Sequence, residues 1–325
     1  MRGSSLKDKV VVITGASSGI GRACALRFAG EGAAVVLAAR RREALEEVAE
    51  EVRSHGGTAL VVPTDVRDEA AVEALARAAT ERLGGLDCWV NDAAVSLFGR
   101  FEEAPPDVFR AVLETNLFGY IHGARAALPR FREQGRGVLI NVSSVVGVVP
   151  QPMTTAYTTS KFAIRGFTLS LRQELRGSGI EVCSLLPASI DTPLFQHAAN
   201  YTGLPPRPLS PIVPVEDVAE AVVALARRPR REVVVGRSGQ VLLQLHRLAP
   251  GLTEALLGRQ VPREHFQHER TAAPTEGNVL APVPRWTGAS GGWRESARRR
   301  RATRALAAAG AAFVAWRVAR RAWAA

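Results

Sequence analysis

The stretch VVVITGASSGIG, residues 10–21, begins as an apolar run and ends in a glycine-rich loop. The β-branched run predicts a strand covered on both faces of a sheet, and a helical pattern follows the loop. Here Gly15 permits a tight turn, Gly19 lets the backbone approach a phosphate, and Gly21 allows close packing of the helix on the strand. With the free N–H groups of the helix N-terminus, the stretch predicts a binding loop for a dinucleotide cofactor.

The alternation of strand and helix patterns continues along the chain. Further short apolar runs lie at 34–39, 59–65, 87–93, 137–144, 181–187 and 232–236. Stretches rich in Ala, Glu, Arg and Leu, with apolar residues at helical spacing, separate these runs. The pattern predicts an α/β fold, a Rossmann-like doubly wound parallel sheet of about seven strands, in a single domain with a C-terminal extension.

Composition divides the chain into a body, a linker and a tail. The predicted catalytic domain, 1–262, includes an apolar segment at 238–258. Residues 263–296 are polar, aperiodic and rich in Pro and Gly, which predicts a flexible linker. Residues 297–325 are rich in Arg and Ala and predict a basic tail helix. Within the body, residues 191–214 carry six prolines and follow a strand end, which predicts a substrate lid.

The formal charge of +11 is concentrated in the tail. Residues 294–325 contain nine arginines and one glutamate, a charge of +8, which leaves +3 for residues 1–293. A nearly neutral body without interleaved aromatic and basic residues argues against a nucleic-acid partner.

The cysteines, the histidines and the N-terminal residues bear on the location of the protein and on whether it binds a metal. None of the three cysteines forms a CxxC pair, and the leader MRGSSLKDK has no apolar core, so we expect a reducing, cytoplasmic location. His265 and His268 form an HxxH in an aperiodic stretch, where we expect surface histidines and no metal site.

The sequence YTTSK, residues 157–161, contains one of only three lysines in a chain that otherwise uses arginine. Tyr157 and Lys161 are four residues apart and therefore share one face of a helix. An ammonium group near a phenol stabilises the phenolate and lowers its pKa from about 10. We therefore predict that Tyr157 is a proton donor and that Lys161 tunes it.

Several motifs in order resemble the short-chain dehydrogenase/reductase family over residues 6–236. They are TGASSGIG (14–21), Asp65–Val66, VNDAA (90–94), Asn116 within ETNLFG, NVSS (141–144), YTTSK (157–161) and PASIDTP (187–193). The resemblance implies a catalytic set of Asn116, Ser144, Tyr157 and Lys161. Asn116 is expected to hold a relay water, Ser144 to bond the substrate oxygen, and Lys161 also to grip the cofactor ribose. Ser143 competes with Ser144, but the family spacing of thirteen residues before the tyrosine favours Ser144.

The predicted cofactor contacts combine the glycine loop with family positions. They are Gly15, Ser17, Ser18, Gly19, Ile20, Gly21, Arg40, Asp65, Val66, Asn91, Ala93, Tyr157, Lys161, Pro187, Ile190 and Thr192. The sequence departs from the family pattern at Asp92, Ala94 and Ala188, which bring a charge and two methyl groups near the cofactor path.

The end of the second strand predicts the cofactor type. Members that use NAD carry an aspartate there for the ribose 2′-hydroxyl, whereas this chain has Ala39 followed by Arg40. A guanidinium group suits a 2′-phosphate. NADP(H) is therefore favoured over NAD(H), although an ordinary surface role for Arg40 stays open.

Together these features predict an NADP(H)-dependent oxidoreductase that interconverts a carbonyl and a secondary alcohol on a lipophilic small molecule of steroid, retinoid or acyl type. The alternative is a non-catalytic NADP(H)-binding sensor or adaptor that docks through its tail. A homo-oligomer is expected. Residues 297–325 place arginines and aromatic residues around an uncharged core, which favours contact with an anionic membrane surface, with a mobile tail or a subunit contact as the alternative.

Overall fold

Seven parallel strands form the central sheet in the computed structural model, which describes residues 5–295. The strands, in chain order, are β1 (Val10–Thr14), β2 (Ala34–Ala39), β3 (Thr58–Pro63), β4 (Cys88–Asn91), β5 (Leu97–Phe98), β6 (Gly137–Val142), β7 (Ile180–Pro187), β8 (Ala199–Asn200) and β9 (Glu232–Val235). The sheet order is β3-β2-β1-β4-β6-β7-β9, and β5 pairs separately with β8. This order confirms the predicted Rossmann-like sheet. The chain reverses its direction across the sheet between β1 and β4, which opens a crevice at their carboxyl ends.

Helices cover both faces of the sheet. They are α1 (Gly19–Ala29), α2 (Arg42–Ser54), α3 (Glu69–Leu83), α4 (Pro106–Leu113), α5 (Gly119–Gln134), α6 (Thr155–Glu174), α7 (Leu194–His197), α8 (Val215–Arg227), α9 (Arg237–Leu248) and α10 (Pro250–Glu264). One turn of π-helix, Glu114–Phe118, joins α4 to α5.

The periodicity of the sequence explains this layering. All five side chains of β1 are buried, as a strand covered on both faces requires. On α2 the buried residues are Ala44, Leu45, Val48, Ala49 and Val52, which recur at three- and four-residue spacing and face the sheet. The first turn of α3 is capped because the Asp68 carboxylate accepts hydrogen bonds from Ala70 N and Ala71 N. Its last turn ends at Gly84, which adopts a left-handed conformation.

The chain after α10 differs from the flexible linker predicted over 263–296. The compact unit that contains the sheet continues to Gly291. Phe266 and Val279 are fully buried, and Thr275 forms an antiparallel bridge with Asn200. An irregular segment of this kind satisfies its backbone through contacts with distant residues. Composition and periodicity therefore did not predict it.

The predicted basic tail, 297–325, lies outside the described residues. Among residues 5–295, no helix is both long and apolar enough to cross a bilayer.

Candidate active site

A cavity of about 400 Å³ lies at the carboxyl edge of the sheet. Most residues predicted from the sequence to bind cofactor or to act in catalysis line it. They are Gly15, Ser17, Ser18, Gly19, Ile20, Arg40, Asp65, Val66, Ala93, Ser144, Tyr157, Lys161, Pro187, Ile190 and Thr192. One end of the cavity therefore lies at the glycine-rich loop, and the Tyr157–Lys161 pair lies further along the same space.

The glycine-rich loop forms a cradle that side chains would fill. Gly15 has φ +78°, and a Cβ there would lie 2.9 Å from the backbone of Ala93. A Cβ on Gly21 would strike the carbonyl oxygen of Gly15, so Gly21 lies behind the loop and does not line the cavity. The tight turn leaves the amides at the start of α1 able to bind a phosphate, so the loop fits the pyrophosphate of a dinucleotide.

Lys161 lines the cavity, and a hydrogen bond fixes the position of its ammonium group. Its Nζ donates to the carbonyl oxygen of Val142 at 2.9 Å and lies 5.4 Å from the ring centroids of both Tyr157 and Tyr120. Only 1% of the residue is exposed. Desolvation lowers the pKa of Lys161 to about 8, while the nearby carboxylate of Asp92 opposes that shift.

The predicted lowering of the Tyr157 pKa does not appear in the structure. Desolvation raises the pKa of Tyr157, and the charge of Asp92 raises it further. The hydrogen bond with Ser144 acts in the opposite direction. The prediction took account of the Lys161 ammonium but not of the burial of the Tyr157 phenol, which removes the phenol from water and disfavours its charged form.

Asp92 is the titratable group whose influence the sequence reasoning missed. The side chain lines the cavity, where desolvation raises its pKa to about 7 and the ammonium of Lys161 opposes the rise. The position was noted only as a departure from the family motif. Its electrostatic role depends on proximity to Tyr157 and Lys161, which are far away in the sequence.

The two candidate serines have different environments. Both residues line the cavity, but the hydroxyl of Ser143 is engaged in donating to the carbonyl oxygen of Lys161 at 2.9 Å, which fixes α6 against β6. The hydroxyl of Ser144 lines the cavity, accepts from Val146 N at 3.3 Å, and contacts the carbonyl of Pro187 at 3.4 Å. Ser144 is therefore the serine placed to contact a substrate oxygen beside Tyr157.

Asn116 and Asn91 were predicted site residues, but neither lines the cavity. The Asn116 amide accepts from Val95 N at 2.8 Å and donates to Val95 O at 2.9 Å and to Ser160 Oγ at 3.0 Å. These bonds engage both ends of the amide, and its predicted role of holding a water stays a prediction. Asn91 accepts from the Trp89 indole at 2.7 Å and donates to Asn141 Oδ1 at 2.9 Å. Its amide stabilises the core behind the site.

Arg40, the predicted 2′-phosphate ligand, contacts the C-terminal segment. Its guanidinium donates to the carbonyl oxygens of Asn278, Val279 (3.4 Å) and Leu280 (3.5 Å). Asp65, predicted to hold the adenine, forms an ion pair of 2.6 Å with Arg67. The cavity wall here also includes Asn278, Pro282 and Val283, a contribution that the predicted linker did not anticipate.

His265 was predicted to be a surface histidine, and this was wrong. The residue is 5% exposed, lines the cavity, and packs edge-on against Phe98 with ring centroids 5.2 Å apart. Its Nδ1 bonds to the carbonyl of Arg207. Desolvation lowers the pKa of His265 to about 4, so the ring is neutral at physiological pH. His268 is exposed, as predicted.

Comparison with known proteins places these features in a family. Residues 9–201 match the family model described as short chain dehydrogenase. The uncharacterized oxidoreductase YxnA of Bacillus subtilis is 39% identical over 280 residues, covering 85% of this chain and 78% of that protein. An uncharacterized oxidoreductase of Staphylococcus aureus is 36% identical over 225 residues, covering 69% of this chain and 94% of that protein. A short chain dehydrogenase/reductase from Burkholderia phymatum, solved in complex with NAD, has a TM-score of 0.70 and 27% identity, covering 77% of this chain and 97% of that chain.

Proposed function

Since the chain belongs to the short chain dehydrogenase family and is an oxidoreductase of that type, we propose that it interconverts a carbonyl and a secondary alcohol using NADP(H). The observation that carries the proposal is the shared cavity, which joins the glycine-rich loop to Ser144, Tyr157 and Lys161. A non-catalytic binding protein would not need this set of side chains beside the cofactor loop.

The residues of the chain have distinct chemical roles in this proposal. A bound nicotinamide cofactor supplies or accepts the hydride. In the reduction direction Tyr157 donates a proton to the carbonyl oxygen, and the Ser144 hydroxyl bonds to the same oxygen as negative charge develops there. Lys161 stabilises the phenolate that remains, because its ammonium lies 5.4 Å from the ring centroid.

The preference for NADP(H) rests on the end of β2. Ala39 offers no carboxylate for a ribose 2′-hydroxyl, and both Arg40 and Arg41 line the cavity. We expect Arg40→Ala to weaken NADPH binding roughly ten- to a hundredfold and NADH binding far less, because a charge-assisted pair of hydrogen bonds to phosphate is lost. Arg42→Ala, at an exposed neighbouring position, is the matched control. Equal KM values of the parent enzyme for NADPH and NADH would refute this preference.

The substrate class follows from the remaining cavity wall. Beyond the catalytic residues the lining is mainly apolar and includes Phe98, Val149, Phe195, Leu209, Leu242 and Leu257. Such a wall favours a lipophilic carbonyl or alcohol over a charged metabolite.

A turnover screen tests the proposal directly. Lipophilic ketones are supplied with NADPH, and lipophilic secondary alcohols with NADP⁺. We expect at least one pair to turn over and Tyr157→Phe to abolish that turnover while cofactor affinity stays nearly unchanged. Tyr201→Phe is the matched control, because it removes a hydroxyl of the same kind at a position that does not line the cavity. Undiminished turnover by the Tyr157→Phe variant would contradict the assigned proton donor.

The remaining proposals concern surroundings and partners. We place the enzyme in the cytoplasm as a homo-oligomer, with residues 297–325 contacting an anionic membrane surface. The nine arginines after residue 293 support the membrane contact.

A further inference from the structure

The segment that follows α10 forms a strap across the cofactor end of the cavity. We call residues 275–291 the strap and distinguish two parts of it. In the anchored part, 275–279, Asn278 N donates to His197 O at 2.7 Å, and Val279 is completely buried. In the covering part, 280–291, every residue is exposed or only partly buried. The covering part could therefore lift while the anchored part stays in place.

The covering part contacts the start of α1. Gly19 N donates to Gly288 O at 3.0 Å, and the Arg22 guanidinium donates to Thr287 O at 3.1 Å. Gly19 N belongs to the loop whose amides would bind the cofactor pyrophosphate. A single N–H group directed at a carbonyl is not available to a phosphate oxygen, so the two acceptors compete.

The covering part also occupies Arg41, which follows β2. Arg41 donates to Val283 O at 2.8 Å and to Arg285 O at 3.1 Å. Arg40, in contrast, donates mainly to the anchored part, to the carbonyl oxygens of Asn278 and Val279 (3.4 Å), and its bond to Leu280 O in the covering part is 3.5 Å long. The groups proposed above to bind phosphates thus donate to neutral carbonyl oxygens instead.

We propose that residues 280–291 are an autoinhibitory lid whose backbone carbonyls compete with the cofactor phosphates for Gly19 N and Arg41. This inference rests on the proposed function. Phosphate can displace the lid because it brings a full negative charge to the Arg41 guanidinium and to the N-terminus of α1, where the lid offers only carbonyl dipoles. Closure still weakens the apparent affinity, which falls in proportion to the fraction of molecules that are open.

Local backbone geometry supports a lid that can be released. Trp286 has φ +63°, an unfavourable value for a bulky residue, and its side chain is 52% exposed. This strained backbone favours release of the lid when a charged ligand binds.

Two side-chain bonds hold the far end of the lid and allow a test in the full chain. Ser290 Oγ donates to Asp191 Oδ2 at 2.9 Å, and Gln196 Nε2 donates to Gly291 O at 2.8 Å. Neither Ser290 nor Gln196 lines the cavity. In the Gln196→Ala, Ser290→Ala double variant we expect the Kd for NADPH to fall about three- to tenfold, because each hydrogen bond favours the closed lid.

The control is the double variant Gln173→Ala, Ser178→Ala. These side chains donate to the carbonyl oxygens of Leu169 and Leu175, at the end of α6 and in the turn that follows it. We expect its Kd to equal that of the parent. Equal Kd values for the parent and the Gln196, Ser290 variant would overturn the lid, and weaker binding by the variant would identify a clamp that helps to hold the cofactor. If no protein bound NADPH or NADH, the proposed function and the lid would fall together.

Limited trypsin digestion of the unmodified chain gives an independent measure. Arg285 lies in the lid, and its carbonyl oxygen accepts from Arg41 at 3.1 Å. Adding NADPH should accelerate cleavage after Arg285, because the lid leaves the body. Slower cleavage after Arg285 on NADPH binding would overturn the proposal.

Discussion

At the scale of single residues, Lys161 shows why this chain retains a lysine where it otherwise uses arginine. Its ammonium is almost fully enclosed, donates to one carbonyl, and lies between two tyrosine rings. A guanidinium is wider and planar and has five donors, most of which would lack partners in this space. Position 161 therefore requires a cation that is compact, and a positive charge alone is not sufficient.

We expect Lys161→Arg to lower kcat by roughly a hundredfold, because buried unsatisfied donors and a displaced Tyr157 cost about 3 kcal/mol. Steady-state kinetics on the substrate found by the screen measure the effect. Arg165→Lys, the reverse exchange one turn later on α6, should change kcat less than twofold, since its ion pair with Glu232 can be kept. Near-normal kcat in Lys161→Arg would show that charge alone is sufficient.

Asp92 gives the site a specific pH dependence. Its carboxylate raises the pKa of both Tyr157 and Lys161 when it is ionised. In Asp92→Asn both pKa values should fall, so the basic limb of the kcat profile for alcohol oxidation should move to lower pH. Since desolvation raises the pKa of Asp92 itself to about 7, the difference should be present above that pH and vanish below it as the parent carboxyl becomes neutral.

The measurement is a pair of pH–rate profiles, with Asp217→Asn, an exposed change on α8, as the control. A shift of the basic limb to higher pH, or a constant difference across the whole range, would contradict the assigned electrostatics.

At the scale of elements, the sequence predicted what is periodic or local. The strands and helices could be located because burial on the sheet follows spacings of two and of three to four residues, as the five buried positions of α2 show. Ser144, Tyr157 and Lys161 could be predicted because short motifs place them at the end of β6 and on α6. The strap could not, because its contacts with Gly19, Arg40 and Arg41 join residues more than 200 positions apart.

The same limit explains the errors at the site. The pKa of Tyr157 depends on desolvation and on Asp92, and the environment of His265 depends on the packing of Phe98. Neither is encoded in neighbouring residues. Asn116 was placed in the correct helical region, but only the three-dimensional structure shows that Val95 and Ser160 engage its amide.

Val279 tests whether the strap is part of the folded body. Because its side chain is completely buried among Val95, Leu97 and Val112, we expect Val279→Ala to reduce the free energy of unfolding by about 1–3 kcal/mol. Val241→Ala, at a position that is 67% exposed, should change it by less than about 0.5 kcal/mol. Denaturant titration compares the two variants, and equal stability would indicate a strap that is detached in solution.

At the scale of the whole molecule, charge and fold are separated along the chain. The folded body through Gly291 contains the sheet, the cavity and the strap, whereas most of the net charge of +11 follows it. Arg301, Arg304, Arg317, Arg320 and Arg321 flank the uncharged stretch 305–316 in the sequence. At twelve residues this stretch is too short to span a bilayer, which needs about 20. A peripheral contact through arginines and headgroups is the remaining way for it to bind membrane.

Vesicle flotation measures this contact. The full-length chain should float with anionic vesicles at low salt, because each arginine near the surface contributes about 1 kcal/mol. It should remain with the soluble fraction when the vesicles are neutral or the salt is high, since both remove the attraction. A full-length variant with these five arginines changed to glutamine should lose most of its flotation, and a chain ending at Glu295 should not float. Equal flotation of the shortened chain would move the contact to the body, where Leu248 is 83% and Leu252 56% exposed on α9 and α10. Failure of the unmodified chain to float at low salt would refute a membrane role for residues 297–325.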